Sequence, residues 1–389
     1  MADFRCLAKA FLPQPVFDYL DGGAEYESAM RNNRAVFERV RFRPRTMVDV
    51  RKRSTETELF GTRVAAPFAI APMGGLGLFW PRAEIAFARA CAAANVPYGL
   101  STGSNSTIEE VAAAAPDAQL WFQLYVFNDE AMNHALVERA QASGYRALMV
   151  TTDTHLFPKR HRDLRNGFRS TLSKTPRNIL SILRCPRWMW HMMIRRRLPA
   201  MVNLTLAHDR PIDRMAAASY FLNERRPSFD LEHLKALRRQ WKGPLLVKGV
   251  LRVDEAIQIR NCGADGIILS NHGGRNLESA AAPLEVLPEI VDAVGQRMSV
   301  LIDSGFRSGN DVVKALALGA KAVLFGRAGG YAVASGGEAA VGRLLDLMRN
   351  EVDRTLGYLG CTAVDQLSRD YLLFDRGLPG SNASPALTI

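Results

Sequence analysis

The segment Ser270-Asn-His-Gly-Gly-Arg275 combines residue types that could perform acid–base chemistry on a small anion. A histidine titrates near neutral pH and suits a general base, and an arginine can bind a carboxylate through two parallel hydrogen bonds. The two glycines between them let the backbone approach a flat ligand closely. A lone histidine is more often a structural hydrogen-bonding group, but Asp153, at the end of another predicted strand, could orient His272 and stabilise its charge.

Two later segments could hold a phosphate group. Residues 303–309 read Asp-Ser-Gly-Phe-Arg-Ser-Gly, and Gly326 is followed by Arg327. Glycine backbone and arginine side chains just before a predicted helix make a favourable environment for an anion. The alternative interpretation is a pair of tight turns with surface arginines. The candidate residues are Asp303, Gly305, Arg307, Gly326 and Arg327.

Lys248 ends a short apolar run and could act in three ways. It could form a Schiff base, contact a cofactor as a cation, or belong to a buried ion pair. Spacing alone does not choose among these roles.

Eight short apolar runs precede these polar residues, and segments with helical spacing separate them. Their length and lack of polar alternation are typical of parallel strands buried on both faces. The pattern predicts an α/β fold, a (β/α)8 TIM barrel, with a doubly wound open sheet as the alternative that lacks its G-x-G-x-x-G signature. The runs are Phe68–Ala71, Tyr98–Ser101, Trp121–Tyr125, Leu148–Thr152, Leu245–Lys248, Gly266–Ser270, Val300–Asp303 and Ala322–Gly326.

Polar residues and glycines recur at the carboxyl ends of these predicted strands, where barrel active sites form. Any one of them could be structural, but their recurrence on nearly every strand predicts one common site. The ends not yet named carry Gly74, Ser101, Gln123, Tyr125 and Thr151.

Composition and the order of the apolar runs suggest how the 389 residues are divided into structural segments. A hydrophobic share of 48% and a charged share of 23% exclude a disordered chain, and five scattered cysteines exclude a disulfide scaffold and argue against a metal site. We expect an N-terminal helical segment at 1–60, a barrel at 61–372 and a flexible tail at 373–389. A basic insertion at 165–226 lies within the barrel, after its fourth strand.

The net charge of +11 is concentrated near this insertion. Residues 159–226 hold 16 Lys and Arg against 4 Asp and Glu, whereas the rest of the chain has 34 against 35. Within it, Arg184–Arg197 interleaves arginines with Trp188, Trp190 and three methionines. This composition favours an anionic membrane surface over nucleic acid. The other interpretation is that the insertion is a basic, solvent-exposed loop region of the barrel.

The stretch Ser270–Glu278, with Asp303–Arg307 and Ala315–Ala320, resembles the FMN-dependent α-hydroxy-acid dehydrogenase/oxidase family. The resemblance extends from about Leu12 to Leu372. It implies a (β/α)8 barrel in which FMN oxidises an (S)-2-hydroxy acid to the 2-oxo acid. It also implies a homotetramer.

The resemblance assigns roles to individual residues. His272 would be the base and Asp153 its partner, while Tyr125 would bond the substrate and Arg275 would both bind and orient it. The substrate carboxylate would be held by Tyr19, Arg160 and Arg275. The flavin would contact Gly74, Ser101, Gln123, Thr151, Lys248, Ser270, Asp303, Gly305, Arg307, Gly326 and Arg327.

Subfamily signals favour the mandelate dehydrogenase branch over the L-lactate dehydrogenases. Gly74 and Gly103 are similar to that branch, and Gly103 would leave room for a bulky substrate side chain. Against this, the stretch Cys185–Trp190 is also similar to membrane-bound L-lactate dehydrogenases. Met73 departs from the threonine of many members, which puts that contact to the flavin in doubt.

The branch implies an enzyme on the cytoplasmic face of the inner membrane that passes electrons to quinone rather than mainly to O2. A soluble cytoplasmic 2-hydroxy-acid oxidase is the nearest alternative. From other classes, the rivals are an FMN-dependent isomerase, a Schiff-base aldolase using Lys248, and a non-enzymatic membrane- or nucleic-acid-binding barrel.

Overall fold

The computed structural model describes residues 1–156, 158–168, 173–194, 200–206, 220–221 and 223–374. Residues 375–389, most of the expected tail, lie outside the described residues, as do parts of the 165–226 insertion that include Arg195–Arg197.

Eight parallel strands, β4 to β11, close into a barrel in which β11 pairs with β4. All eight predicted strands are present within one or two residues of their expected bounds, so the predicted TIM barrel is confirmed. The strands in chain order are β1 Val40–Phe42, β2 Thr57–Leu59, β3 Thr62–Val64, β4 Phe68–Ile70, β5 Tyr98–Ser101, β6 Leu120–Tyr125, β7 Ala147–Thr151, β8 Leu245–Val250, β9 Gly266–Leu269, β10 Ser299–Ile302, β11 Ala322–Phe325 and β12 Leu372–Phe374.

Fifteen α-helices have their bounds in the described part of the chain, and the last of them is interrupted at Gly336 and Gly337. They are α1 Ala2–Phe11, α2 Gln14–Asp21, α3 Ser28–Glu38, α4 Ala83–Ala94, α5 Ile108–Ala114, α6 Glu130–Ala142, α7 His161–Arg165, α8 Pro176–Leu183, α9 Pro186–Ile194, α10 Val202–Leu206, α11 Leu231–Gln240, α12 Val253–Asn261, α13 Pro283–Val294, α14 Gly309–Ala317 and α15 Arg327–Leu359.

The barrel strands lack polar alternation because both of their faces are buried. One face fills the barrel interior, where Trp121, Met149 and Ile268 pack together. The other face packs against the surrounding helices, as Phe122, Leu148 and Ile267 do. The two small antiparallel sheets, β1 with β12 and β2 with β3, lie outside the barrel.

Helix α9, in the insertion between β7 and β8, is docked onto the body of the protein. Trp188 donates from Nε1 to the Leu78 carbonyl at 2.9 Å, and the His191 ring lies 4.7 Å from the Trp80 ring. Trp188 therefore faces the body, whereas Trp190 is 66% exposed. The two tryptophans of the basic segment therefore lie in different environments, one against the body and one in solvent.

Among the described helices, none is both long enough and apolar enough to cross a lipid bilayer.

Candidate functional site

His272 and Asp153 form a hydrogen-bonded pair at the mouth of the barrel. The Nδ1 atom of His272 lies 3.0 Å from Oδ1 of Asp153, so Nδ1 carries the hydrogen and Nε2 is left free to accept a proton. His272 follows the end of β9 in a left-handed conformation with φ of 57°, which is strained for a residue with a Cβ. The turn 270–275 therefore fixes the imidazole at some cost in backbone strain.

The environment sets this pair up as a neutral base beside a carboxylate. Burial lowers the pKa of His272 below 6.5, and the nearby Asp153 opposes that shift. Burial would raise the pKa of Asp153, but the His272 charge and hydrogen bond outweigh it, so the Asp153 pKa is lowered. At neutral pH, His272 is unprotonated and can act as a base.

Tyr125 lies on the other side of the imidazole, at the end of β6. Its hydroxyl lies 3.4 Å from Nε2 of His272, and the two rings are nearly parallel with centroids 6.5 Å apart. Burial raises the pKa of Tyr125, and the charge of Arg225 opposes that rise. The hydroxyl thus remains protonated at neutral pH and can donate a hydrogen bond to a ligand oxygen.

Arg160 and Arg275 converge on the same cavity. The Nε of Arg160 donates to the Arg275 carbonyl at 3.4 Å, and the Arg275 guanidinium lies over the Tyr19 ring at 5.1 Å. Burial, with the like charge of Arg275, lowers the pKa of Arg160 to about 10. Burial and mutual repulsion make the charged forms of the two guanidinium groups less stable. A carboxylate bound beside them would offset both effects with its negative charge.

Lys248 is buried and paired. Its Nζ lies 3.0 Å from Asp303 Oδ2 and donates to Ser270 Oγ at 2.8 Å. Burial would lower the pKa of Lys248, but the charges of Asp303 and Asp153 raise it overall. A Schiff-base lysine must lose its proton, so this environment disfavours the aldolase alternative.

A chain of hydrogen bonds lies behind the barrel mouth. Ser101 Oγ donates to Gln123 Oε1 at 3.0 Å, and Gln123 Nε2 donates to Thr151 Oγ1 at 2.9 Å. The amide of Gln123 is thereby fixed in one orientation. These three side chains, on adjacent strands, form one buried polar network.

The predicted phosphate segments adjoin one another at the ends of β10 and β11. Burial lowers the pKa of Arg307, while burial and the like charge of Arg275 lower the pKa of Arg327 to about 9. A Cβ at Gly305 would lie 2.1 Å from the Asn33 carbonyl oxygen, at a φ of 93°, so this turn requires glycine. Gly326, at the start of α15, faces open space.

One cavity of about 250 Å³ connects these groups. Most predicted site residues line it directly. Ser270 and Asp153 do not, but they form hydrogen bonds with the lining residues Lys248 and His272. Ser101, Gln123 and Thr151 bond to one another and do not line the cavity. The predicted residues that line it are Tyr19, Gly74, Tyr125, Arg160, Lys248, His272, Arg275, Asp303, Gly305, Arg307, Gly326 and Arg327.

Sequence reasoning missed four cavity residues that come from the insertion. Phe168, Met201, Phe221 and Arg225 line the cavity, and the last three follow β7 by 50 residues or more. No motif marks them, since their position depends on how the insertion folds back. The Phe221 ring would lie 3.4 Å from a Cβ at Gly103, so the space expected beside Gly103 is occupied by this ring.

Comparison with known proteins shows which family the chain belongs to. The family model described as FMN-dependent dehydrogenase matches residues 8–373. The chain belongs to the FMN-dependent dehydrogenase family. It is therefore an FMN-dependent oxidoreductase, as the resemblance implied.

Individual relatives of this family cover nearly the whole chain. The chain is 43% identical to the (S)-mandelate dehydrogenase of Pseudomonas putida over 95% of its own length and 92% of that protein. It is 38% identical to an L-lactate dehydrogenase of Azorhizobium caulinodans, over 97% of its own length and 98% of that protein. A solved structure described as the monotopic membrane protein (S)-mandelate dehydrogenase superposes on the chain with a TM-score of 0.92. The two sequences are 42% identical, and the match covers 96% of this chain and 98% of that one.

The family's FMN fits the phosphate side of the cavity. In the described part of the chain, the Nε of Arg327 is buried without a hydrogen-bond partner, and several arginines are crowded and desolvated there. A phosphate would supply acceptors and negative charge to this group. Lys248, beside Asp303 at the cavity floor, could balance charge on a reduced flavin ring.

Proposed function

We propose that this protein oxidises an (S)-2-hydroxy acid to the 2-oxo acid, in the manner of a mandelate dehydrogenase. The observation that carries the proposal is the placement of a neutral His272, paired with Asp153, in one cavity with Arg160 and Arg275. A base and a pair of carboxylate-binding cations are the two groups that removal of hydrogen from a 2-hydroxy acid requires.

The arginines bind and orient the substrate. The carboxylate of the 2-hydroxy acid pairs with Arg275 and Arg160, and Tyr19 lies beneath the Arg275 guanidinium and fixes its plane. Binding at two cations restricts the rotation of the substrate, so that its second carbon points toward the imidazole of His272.

His272 receives a proton at Nε2. The imidazolium that forms is stabilised by Asp153, whose carboxylate already accepts the Nδ1 hydrogen. The Tyr125 hydroxyl is adjacent to Nε2 of His272. From this position it donates a hydrogen bond to the substrate oxygen. The bound FMN supplies a two-electron acceptor for the reaction.

Mandelate-type specificity is supported by the mandelate dehydrogenase relative and by the apolar lining of the cavity. Phe79, Phe168, Met201 and Phe221 surround the space beside the arginines. L-lactate is the second candidate substrate, because the Phe221 ring takes up part of the room that Gly103 would leave.

We further propose that electrons pass to quinone at the cytoplasmic face of the inner membrane, from a homotetramer docked by segment 165–226. Helices α8 and α9 support the docking, since they expose an apolar group interleaved with the exposed Arg177, Arg184 and Arg187. The apolar members are Ile179, Leu180, Leu183 and Trp190, each at least 46% exposed. Such a surface suits the boundary between headgroups and acyl chains.

Anaerobic mixing with single substrates tests the proposed reaction. We expect (S)-mandelate, and more slowly L-lactate or glycolate, to bleach the flavin band at about 450 nm. A soluble quinone should then restore the band faster than O2 does. Absence of bleaching by any 2-hydroxy acid would overturn the proposal.

The His272→Asn variant separates the base from binding. It keeps a polar side chain that can bond Asp153 but cannot accept the substrate proton. We expect bleaching to slow by about 100-fold or more, while the affinity for the 2-oxo product changes little. The His155→Asn variant, at an exposed histidine near the end of β7, serves as the control and should bleach like the wild type.

A further inference from the structure

Arg225 is a further cation on the cavity wall, outside the set that the proposed reaction uses. Its guanidinium carbon lies 5.5 Å from the centroid of the Tyr125 ring and 5.1 Å from that of Phe221. Arg160 and Arg275 lie on the Tyr19 side of the cavity instead. A substrate whose carboxylate binds Arg160 and Arg275 can therefore direct its side chain toward Phe221 and Arg225.

The backbone holds Arg225 in this position. Asn128 N donates to the Glu224 carbonyl and Arg226 N donates to the Val126 carbonyl, both at 2.9 Å. These bonds pair the segment around Arg225 with residues 126–128, which directly follow the strand that ends at Tyr125. The guanidinium is thus positioned by the barrel itself, although it belongs to the end of the insertion.

The charge of Arg225 is not compensated within the described part of the chain. Its Nε donates to the Phe221 carbonyl at 3.2 Å, and among described residues no carboxylate pairs with it. The neighbouring Arg226, by contrast, forms an ion pair with Glu130. A half-buried cation with unused donors at a cavity wall attracts an anionic group of the ligand.

We infer that Arg225 selects 2-hydroxy acids that carry a second carboxylate at the far end of an apolar or aromatic side chain. The inference rests on the proposed oxidation of 2-hydroxy acids and names the substrate class within it. The aromatic lining accommodates the body of the side chain, and Arg225 pairs with its terminal carboxylate. The first carboxylate remains with Arg160 and Arg275.

Two matched pairs of (S)-substrates test the selection. In each pair the members share a framework but only one has the second carboxylate: 4-carboxymandelate with mandelate, and 2-hydroxyglutarate with 2-hydroxypentanoate. Flavin reduction in the wild-type holoenzyme should show a KM about tenfold or more lower for the dicarboxylate, since hydrogen bonds between charged groups are stronger than those between neutral groups. A wild-type preference for the monocarboxylate in both pairs would overturn the inference.

Variants then assign the preference to one side chain. Arg225→Met should abolish the preference by raising KM for the dicarboxylates alone, Arg225→Lys should retain most of it, and the control Arg226→Met should retain it fully. Calorimetry with 2-oxoglutarate and 2-oxopentanoate should show the same pattern of binding without turnover. Equal effects of Arg225→Met on both members of each pair would refute the inference.

The outcomes separate this inference from the proposed function. Bleaching by the monocarboxylates, together with a KM for the dicarboxylates that Arg225→Met leaves unchanged, refutes only the selection of dicarboxylates. No bleaching by any of the four substrates refutes the oxidation itself, and the inference with it.

Discussion

At the scale of single residues, the chemistry depends on pairs in which one member sets the protonation state of the other. Asp153 holds the Nδ1 hydrogen of His272 and favours its protonated form, while burial favours the neutral form. The balance leaves a base that is free of its proton at neutral pH yet stabilised once it has accepted one. Lys248, in β8, and Asp303, directly after β10, form the corresponding pair, since the Asp303 charge raises the pKa of Lys248.

The Asp153→Asn variant tests this balance through its pH dependence. We expect kcat to fall by about 100-fold or more, because the imidazolium loses its counter-charge. Activity of the wild type should decline as pH falls through the His272 pKa, which lies below 6.5. Because Asp153 raises that pKa, its neutralisation should move the acid limb of kcat/KM to lower pH.

The matched control is Asp254→Asn, which removes an exposed carboxylate paired with Arg252. Its pH profile should coincide with that of the wild type. An acid limb that moved to higher pH in Asp153→Asn would contradict the proposed role of the carboxylate.

At the scale of elements, the strand ends are positioned by close backbone contacts with the N-terminal helices. The turn after β10 approaches α3 so closely that Gly305 lies against the Asn33 carbonyl. The Gly22 carbonyl, at the end of α2, accepts hydrogen bonds from both Arg275 and Arg327. The N-terminal segment thus helps to align the cavity residues that follow β9, β10 and β11.

The Gly305→Ala substitution should disrupt this contact. A Cβ there is blocked by the Asn33 oxygen and its φ is unfavourable, so we expect a loss of about 2 kcal/mol or more in the free energy of unfolding and weaker FMN binding. Denaturant titration and flavin fluorescence measure the two effects. Gly342→Ala, on a helix with open space around its Cβ position, should be neutral or slightly stabilising.

Helices α8 and α9 carry the proposed membrane contact, and Leu183→Glu should weaken it. The leucine is 59% exposed, so its replacement by a charge should leave the fold intact and lower partition to anionic vesicles about tenfold. Vesicle sedimentation measures the effect. Leu347→Glu, at an exposed leucine of α15, is the control, and an equal loss in both variants would contradict docking through α8.

At the scale of the whole molecule, the barrel, the N-terminal helices and the insertion each contribute residues to one cavity. A ligand that binds only the folded chain stabilises all three parts together, by about 2.7 kcal/mol when its concentration is about 100 times its Kd. Removal of FMN should therefore lower Tm. FMN should restore Tm more than riboflavin does at equal concentration, because riboflavin lacks the phosphate that Arg307 and Arg327 would bind.

Calorimetry of the flavin-free protein with each compound measures this difference. The Arg327→Met variant should lose it, whereas Arg343→Met, at an exposed arginine of the same helix, should preserve it. Equal stabilisation of the wild type by riboflavin and FMN would contradict the proposed phosphate site.

Local sequence determined the barrel and the kind of chemistry at its mouth. Strands buried on both faces produce apolar runs without alternation, and such runs are visible in any single sequence. The carboxyl ends of parallel strands must meet at one edge, so the order of the runs along the chain is enough to group Lys248, His272 and Arg307 in one site. The strand bounds differed from expectation only by a residue or two.

Only the tertiary structure decided how the insertion completes the cavity. Arg225 reaches the site because its backbone pairs with Phe127, which follows β6 about a hundred residues earlier in the chain, and Phe221 precedes this pairing by four residues. No local period or motif encodes such a contact, since it depends on where a long connection returns to the barrel. For the same reason Gly103 suggested open space, which the folded chain fills with the ring of Phe221.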